Sequence, residues 1–232
     1  MLEHGAGILD IGGESTRPGS DSVDGEEERR RVLPVISALR RAYPEAVLSV
    51  DTYRADTAEA ALNAGADIIN DISAMEADPR MAEVVVKSKA PIILMHMRGT
   101  PKNMQQNCEY KNVVEEVAVY LAQRAQLLRE QGVGADKIIL DPGIGFAKSY
   151  EQNLWVINHL PFFQEMGYPV LLGTSRKSVV GLTLDLPVNE RVEGTLATTA
   201  FAVECGCCMV RVHDVRENVR FIRMMEAIRN QK

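Results

Sequence analysis

Three polar residues close three separate apolar runs: Asp51 after Ser49-Val50, Asn70 after Ile68-Ile69, and Asp141 ahead of Pro142-Gly143-Ile144-Gly145-Phe146. Alone, each would suit a helix cap or a turn. Gathered at one cavity mouth, they would form a wall rich in donors and acceptors. An ionised carboxylate there can accept two parallel hydrogen bonds from an amidine-like edge, one N–H beside one NH2, as on guanine or a pterin. The glycines after Asp141 permit close approach, and Phe146 supplies an apolar lip. No Gly-Lys-Ser/Thr ending follows, so the motif is not a phosphate loop.

Cationic residues follow two further runs. Thr174-Ser175-Arg176-Lys177-Ser178 opens a helix with basic residues, although helix N-termini favour acids, and this points to anion binding. In Arg211-Val212-His213-Asp214, Arg211 and His213 stand two apart and so face the same side of a strand. Two such groups turned inward are costly unless an anion meets them. A phosphate or diphosphate would serve, with Arg211 supplying a planar fork and a permanent charge. Gly12-Gly13-Glu14-Ser15-Thr16-Arg17-Pro18-Gly19 follows the first run and would set Thr16 and Arg17 on a loop at the mouth. A plain polar surface loop is an equal reading of that stretch. Other polar features have bland explanations: His96 as a hydrogen-bonded supporting residue, Cys205, Cys207 and Cys208 as packing thiols, and Glu26, Glu27 and Glu28 as a solvated helix face. Trp155, Phe162 and Phe163 read as core or interface residues. The four histidines contain no His-x-His pair, which weakens a metal-hydrolase reading.

The elements that must position these groups alternate. Seven apolar, β-branched runs (7–14, 47–52, 66–72, 91–97, 137–143, 169–175 and 208–214) suit parallel strands covered on both faces. Between them lie helical stretches with legible ends. Asp24-x-x-Glu27 and Asp214-x-x-Glu217 read as capping boxes, the latter opening a helix to about Arg229. Asp78-Pro79 reads as a cap followed by a first-turn proline. Val113, Val114, Val117, Leu121, Ala125 and Leu128 recur at helical spacing up to Gly132. Polar residues end nearly every strand, which favours a (βα)8 TIM barrel over a doubly wound sheet with one switch point. Seven units in 232 residues average about 33 each, near the roughly 31 of a barrel of about 250 residues. The expected architecture is therefore a single α/β barrel domain, residues 1–232, with the first βα unit absent at the N-terminus.

Composition narrows the class. With 46% hydrophobic and 25% charged residues, the chain is neither disordered nor fibrous. A net charge of -6 argues against nucleic acid or an anionic membrane as partner. No apolar run is long enough to span a bilayer, and four unevenly placed cysteines suit a reducing, cytoplasmic setting.

Taken in order, GGESTRPG, SVDT, IINDI, LMHM, DPGIGF, TSRKS and RVHDV resemble dihydropteroate synthase, over essentially the whole chain. The resemblance implies condensation of 6-hydroxymethyl-7,8-dihydropterin diphosphate with p-aminobenzoate, releasing diphosphate and 7,8-dihydropteroate. It implies that Asp51, Asn70, Asp141 and Lys177 hold the pterin, with Met95 lining the pocket and Arg211 packed on the ring. Arg17, Arg211 and His213 would bind diphosphate. Thr16, Arg17, Pro18, Phe146, Ser175 and Lys177 would form the p-aminobenzoate site, which sulfonamides occupy. Arg17, Lys177, Arg211 and His213 would carry catalysis, with Mg2+ as cofactor. The family's magnesium-associated asparagine and its Asp-Ser-Phe loop belong to the absent first unit, so no metal ligand is expected in this chain. A homodimer through stretches near 149–166 and 188–205 is also implied. Two alternatives share the barrel: a pterin-dependent methyltransferase domain, and a non-catalytic pterin-binding protein.

Overall fold

The computed structural model describes residues 1–17 and 19–231. Its strands are β1 (Ile8–Gly12), β2 (Val47–Asp51), β3 (Ile68–Asp71), β4 (Ile92–Met95), β5 (Ile138–Asp141), β6 (Leu171–Leu172) and β7 (Met209–Val210). Around them run α1 (Gly25–Ala42), α2 (Ala55–Asn63), α3 (Met81–Ser88), α4 (Val113–Arg129), α5 (Tyr150–Asn158), α6 (Leu160–Gln164), α7 (Ser178–Leu184), α8 (Val192–Cys205) and α9 (Val215–Arg229). Strands β1 to β5 pair in chain order and β6 pairs with β7, every pair parallel. A bridge between Leu140 and Val170, with the Leu140 amide donating to the Pro169 carbonyl at 2.8 Å, joins the two sets. This is a (βα)8-type barrel with seven βα units.

All seven expected strands are present, each shorter than its apolar run, because the run continues into loops that leave the ladder. The middle strands β3, β4 and β5 are buried throughout, whereas β1 and β7 are half-buried. Those two strands flank the seam, where the described residues give each only one neighbour. Inside the barrel, Ile68, Ile93, Ile139 and Leu171 form one apolar layer, joined by Ile8 and Met209. The alternate strand residues, such as Leu48, Val50, Ile92, Leu94, Ile138 and Leu140, pack outward against the helices. The α4 stripe is buried as its spacing predicts, and Gly132 ends that segment with φ +85°.

Several local expectations change. Asp24 does cap α1, accepting from the Glu27 amide at 2.8 Å, but the Glu27 side chain pairs with Arg30 and Arg31 and leaves the box half made. Asp214 makes no side-chain cap for α9, because its carboxylate is held by Arg176. The complete capping box is at Ser149 and Gln152. Pro79 precedes α3, whose N-cap is Arg80, while the Asp78 carboxylate accepts from the Ala55 amide at 3.0 Å. Glu28 is not solvated: it is 1% exposed, pairs with Arg54 at 3.1 Å and accepts from Thr57. Phe163 is core, while Trp155 and Phe162 stand exposed. Among the described residues, no helix is long and apolar enough to cross a membrane.

The interior layer gives a stability prediction. Ile93→Ala should cost about 2–5 kcal/mol in urea unfolding. The same change at half-buried Ile8 should cost less than half as much, because less apolar surface is lost. Equal losses at the two positions would contradict the layered barrel.

Candidate active site

Side chains on a strand alternate faces, so a residue two beyond an interior one is also interior. Two steps past Ile8, Ser49, Ile68, Ile93, Ile139, Leu171 and Met209 stand Asp10, Asp51, Asn70, Met95, Asp141, Gly173 and Arg211. Register keeps neighbours level: Asp51 beside Asn70, and Met95 beside Asp141. The apolar layer is thus roofed by a polar one at the C-terminal ends of the strands, where barrel active sites form.

Asp10, missed in the sequence, is central to this roof. Its Oδ2 accepts from Arg211 Nε at 2.7 Å and from Asn70 Nδ2 at 3.2 Å. Arg211 Nη2 donates to Asp51 Oδ2 at 2.8 Å. Arg211, expected to face an anion, therefore commits two N–H groups to carboxylates. The parity signal could have found Asp10, since it stands two residues after Ile8 in the first apolar run.

Gly173 leaves the room that the other groups share. A methyl there would lie 3.7 Å from Lys177 Nζ, 3.8 Å from Arg211 Cβ and 4.0 Å from Asp141 Oδ2. Asp141 Oδ1 accepts from the Gly143 amide at 2.7 Å, which orients the carboxylate and leaves further lone pairs free. Lys177 donates to the Ile144 carbonyl at 2.5 Å, with its Nζ 4.8 Å from the Phe146 ring centroid. Met95, Phe146, Ile72 and Met97 form an apolar floor beside it.

The electrostatics are strained. Burial, with Asp10 nearby, pushes the Asp51 carboxyl up to about 7, against the pull of Arg211. Burial also raises Asp141, opposed by Lys177 and the Gly143 amide. Burial lowers Lys177 to about 8, with Asp141 opposing. For Arg211, burial pulls downward, but Asp10 and Asp51 outweigh it and the net shift is upward. Perturbed groups of both signs in one cavity are what functional sites collect.

The remaining predicted residues sit on the rim. His213 reaches Ser175 Oγ through both its amide (3.1 Å) and Nδ1 (3.0 Å). Burial, then Arg176 and Arg211, lowers its pKa, and Arg17 adds to the effect. Thr16 is half-buried and Arg17 exposed, while Pro18 lies outside the described residues. The loop's feet are held by Glu14, which accepts from the Val23 amide (3.2 Å), Tyr53 Oη (2.8 Å) and Arg54 (2.9 Å). No three His, Cys, Asp or Glu side chains among the described residues converge as metal ligands. Asp10 Oδ1 is fully enclosed and has no hydrogen-bond partner among the described residues.

Sequence and structure comparisons identify the family. The family model described as "Pterin binding enzyme" matches residues 1–213. Dihydropteroate synthase of Clostridium beijerinckii is 48% identical over 229 residues, covering 98% of this chain and 82% of the relative. That of Bacillus subtilis is 47% identical over 231 residues, covering 100% and 78%. Among solved structures, Yersinia pestis dihydropteroate synthase in a sulfonamide complex superposes with TM-score 0.94 at 39% identity, covering 98% of this chain and 82% of that one. The Xanthomonas albilineans enzyme with 4-aminobenzoic acid gives 0.93 at 39%, covering 100% and 82%. The chain belongs to the pterin-binding enzyme family, within its dihydropteroate synthase branch.

The Asp51 shift gives a pH prediction. A folded-state pKa above the ordinary carboxylate value means the native protein holds an extra proton between about pH 4 and 7. This contribution to stability is lost as pH rises through that window. Asp51→Asn removes it, so the melting temperature of the variant relative to the parent should climb from pH 4 to pH 8. A difference independent of pH would refute the assignment.

Proposed function

We infer that this chain carries out the dihydropteroate synthase reaction, joining 6-hydroxymethyl-7,8-dihydropterin diphosphate to p-aminobenzoate. The observation that carries this reading is the gathering of Asp51, Asn70, Asp141, Lys177 and Arg211 at one barrel mouth. In this reading Asp141 accepts the two-nitrogen edge of the pterin and Asn70 and Asp51 take neighbouring ring groups. Lys177 donates to a ring acceptor, and Met95 and Phe146 close on the apolar faces. Arg211 flanks the ring and turns its remaining N–H groups to the diphosphate, beside His213 and Arg17.

The chemistry suits a dissociative path. The C–O bond between the pterin methylene and the diphosphate breaks first, and the electron pair leaves with the diphosphate oxygen. Arg17, Arg211 and His213 would stabilise that growing negative charge, which is where fixed donors lower a barrier most. In this reading the carboxylates of Asp10 and Asp51 would tolerate the methylene cation. The arylamine nitrogen then bonds to the methylene and gives up one proton. An arylamine is uncharged at neutral pH, so the step requires no strong base.

Magnesium would supply charge neutralisation on the diphosphate, held chiefly by phosphate oxygens and water as is usual for this ion. The described residues do not fit a site for it, and none is assigned to it. We further propose that sulfonamides, one of which is bound in the Yersinia pestis relative, compete with p-aminobenzoate at Ser175, Lys177, Phe146, Thr16, Arg17 and Pro18. Four free cysteines support a cytoplasmic setting. Exposed Leu154, Trp155, Phe162, Val188 and Phe201 support a homodimer through the late helices.

Two measurements test these points. Chromatographic detection of dihydropteroate from the two substrates should show turnover by the chain. Asp141→Asn should lower kcat/KM at least about 100-fold, a loss of roughly 2.7 kcal/mol in transition-state stabilisation. Pterin-independent product, or full activity in the variant, would overturn the assignment. Sedimentation should give twice the 25.6 kDa chain mass, and Trp155→Glu with Phe162→Glu should return it to one chain. A parent that sediments as a single chain at micromolar concentration refutes the dimer.

A further inference from the structure

Among the described residues, Lys148 is the largest fully buried side chain that carries a charge-bearing group, and the chemistry above does not use it. It is 2% exposed. Its Nζ donates to the carbonyls of Gly143 (3.0 Å) and Phe146 (3.1 Å) and meets His96 Nδ1 at 3.0 Å. Burial lowers Lys148 to about 7, with Asp141 opposing; in its ammonium form it has three N–H groups, and all three have a partner. Burial, then the charges of Lys148 and Arg98, lowers His96 to about 2, so its ring is neutral and can offer a nitrogen lone pair.

The backbone around this ammonium has an unusual shape. Gly143, Gly145 and Ala147 take φ values of +71°, +84° and +49°. Three left-handed residues in five fold the loop back on itself and turn two carbonyls inward, away from water. Gly143 is irreplaceable here, since a methyl would come within 2.0 Å of the His96 carbonyl oxygen. Inward carbonyls require donors: the Phe146 amide reaches the Gly143 carbonyl at 3.2 Å, and Lys148 serves both the Gly143 and the Phe146 carbonyls. The outward side of the loop bears on the site. The Ile144 carbonyl accepts from Lys177, and the Phe146 ring lies beside the Lys177 ammonium.

We propose that Lys148 is a positioning residue: its ammonium, seated on Gly143, Phe146 and His96, holds the loop after β5 in the shape that sets Lys177 and Phe146 in the site. This rests on the proposed function only for what Lys177 then does. The loop's geometry is independent of it.

Hydrogen exchange provides a direct test. Three loop amides are bonded: Gly143 to Asp141, Gly145 to Asn153 and Phe146 to the Gly143 carbonyl. In Lys148→Met, peptide 142–147 should exchange at least ten times faster than in the parent. Peptides over β2 and β3 should stay within twofold. His96→Leu should follow Lys148→Met, while His96→Asn, which keeps an acceptor near the Nδ1 position, should retain parental exchange. Calorimetry with 6-hydroxymethylpterin should show at least tenfold weaker binding in Lys148→Met and His96→Leu. Loop exchange within twofold of the parent, or equal acceleration across the barrel, would overturn the proposal. Should Lys148→Met not fold, equal exchange in His96→Leu and His96→Asn would overturn it. A parent that binds no pterin would count against the proposed function, while the exchange contrast would still judge Lys148.

Discussion

The two-residue repeat of the strands, read in register around the barrel, is the constraint on which the site depends. An apolar layer of Ile8, Ile68, Ile93, Ile139, Leu171 and Met209 fixes which face of each strand points inward. The residue two steps on has no choice of face. Asp10, Asn70, Met95, Asp141 and Arg211 converge because the layer below them is hydrophobic. A slip of one residue in any strand would send its polar residue into the helix-facing core and its core residue into the cavity. Hydrophobic burial thus specifies the position of groups that burial itself disfavours.

That conflict appears in the charges. Asp51 and Asp141 are harder to ionise than usual and Lys177 is easier to deprotonate, in each case chiefly through burial. Mutual pairing offsets part of the cost, with Arg211 bridging Asp10 and Asp51 at 2.7 and 2.8 Å. The rest is borne by the packed scaffold. A heterocycle that donates to the carboxylates and accepts from the lysine would relieve the same desolvation, so the groups are arranged in advance of the ligand.

Legibility in the sequence followed the range of the interaction. Strand existence and the polar strand ends were readable, because period and composition are local. Asp10 was also readable by parity, but it lies inside an apolar run and not at its end. Buried charges were not readable where the partner is remote. Glu28 looks like part of an acidic surface until Arg54 and Thr57 arrive from another element, and Lys148 is 52 residues from His96. Asp214 shows the reverse case. Its local capping signal is correct in pattern, yet Arg176, 38 residues away, takes the carboxylate in a bidentate pair. A charged long-range partner outcompetes a single neutral amide.

The site's two halves are built to different standards, and the chemistry explains the division. The wall proposed for the heterocycle belongs to β2, β3 and β5, whose side chains at those positions are nearly inaccessible. The groups proposed for the anion are Arg17, Arg211 and His213, all exposed and all beyond the ends of strands. A planar ring keeps its shape through the reaction, so a rigid wall loses nothing. A diphosphate must be gripped while bonded, stabilised as it departs and then released. Exposed donors on loops, two of them arginines, meet that need, because screening by water keeps their hold on the product weak. The Glu14–Arg54–Glu28 cluster marks the boundary between the two, fixing the feet of the Arg17 loop on buried ion pairs while Arg17 itself is exposed.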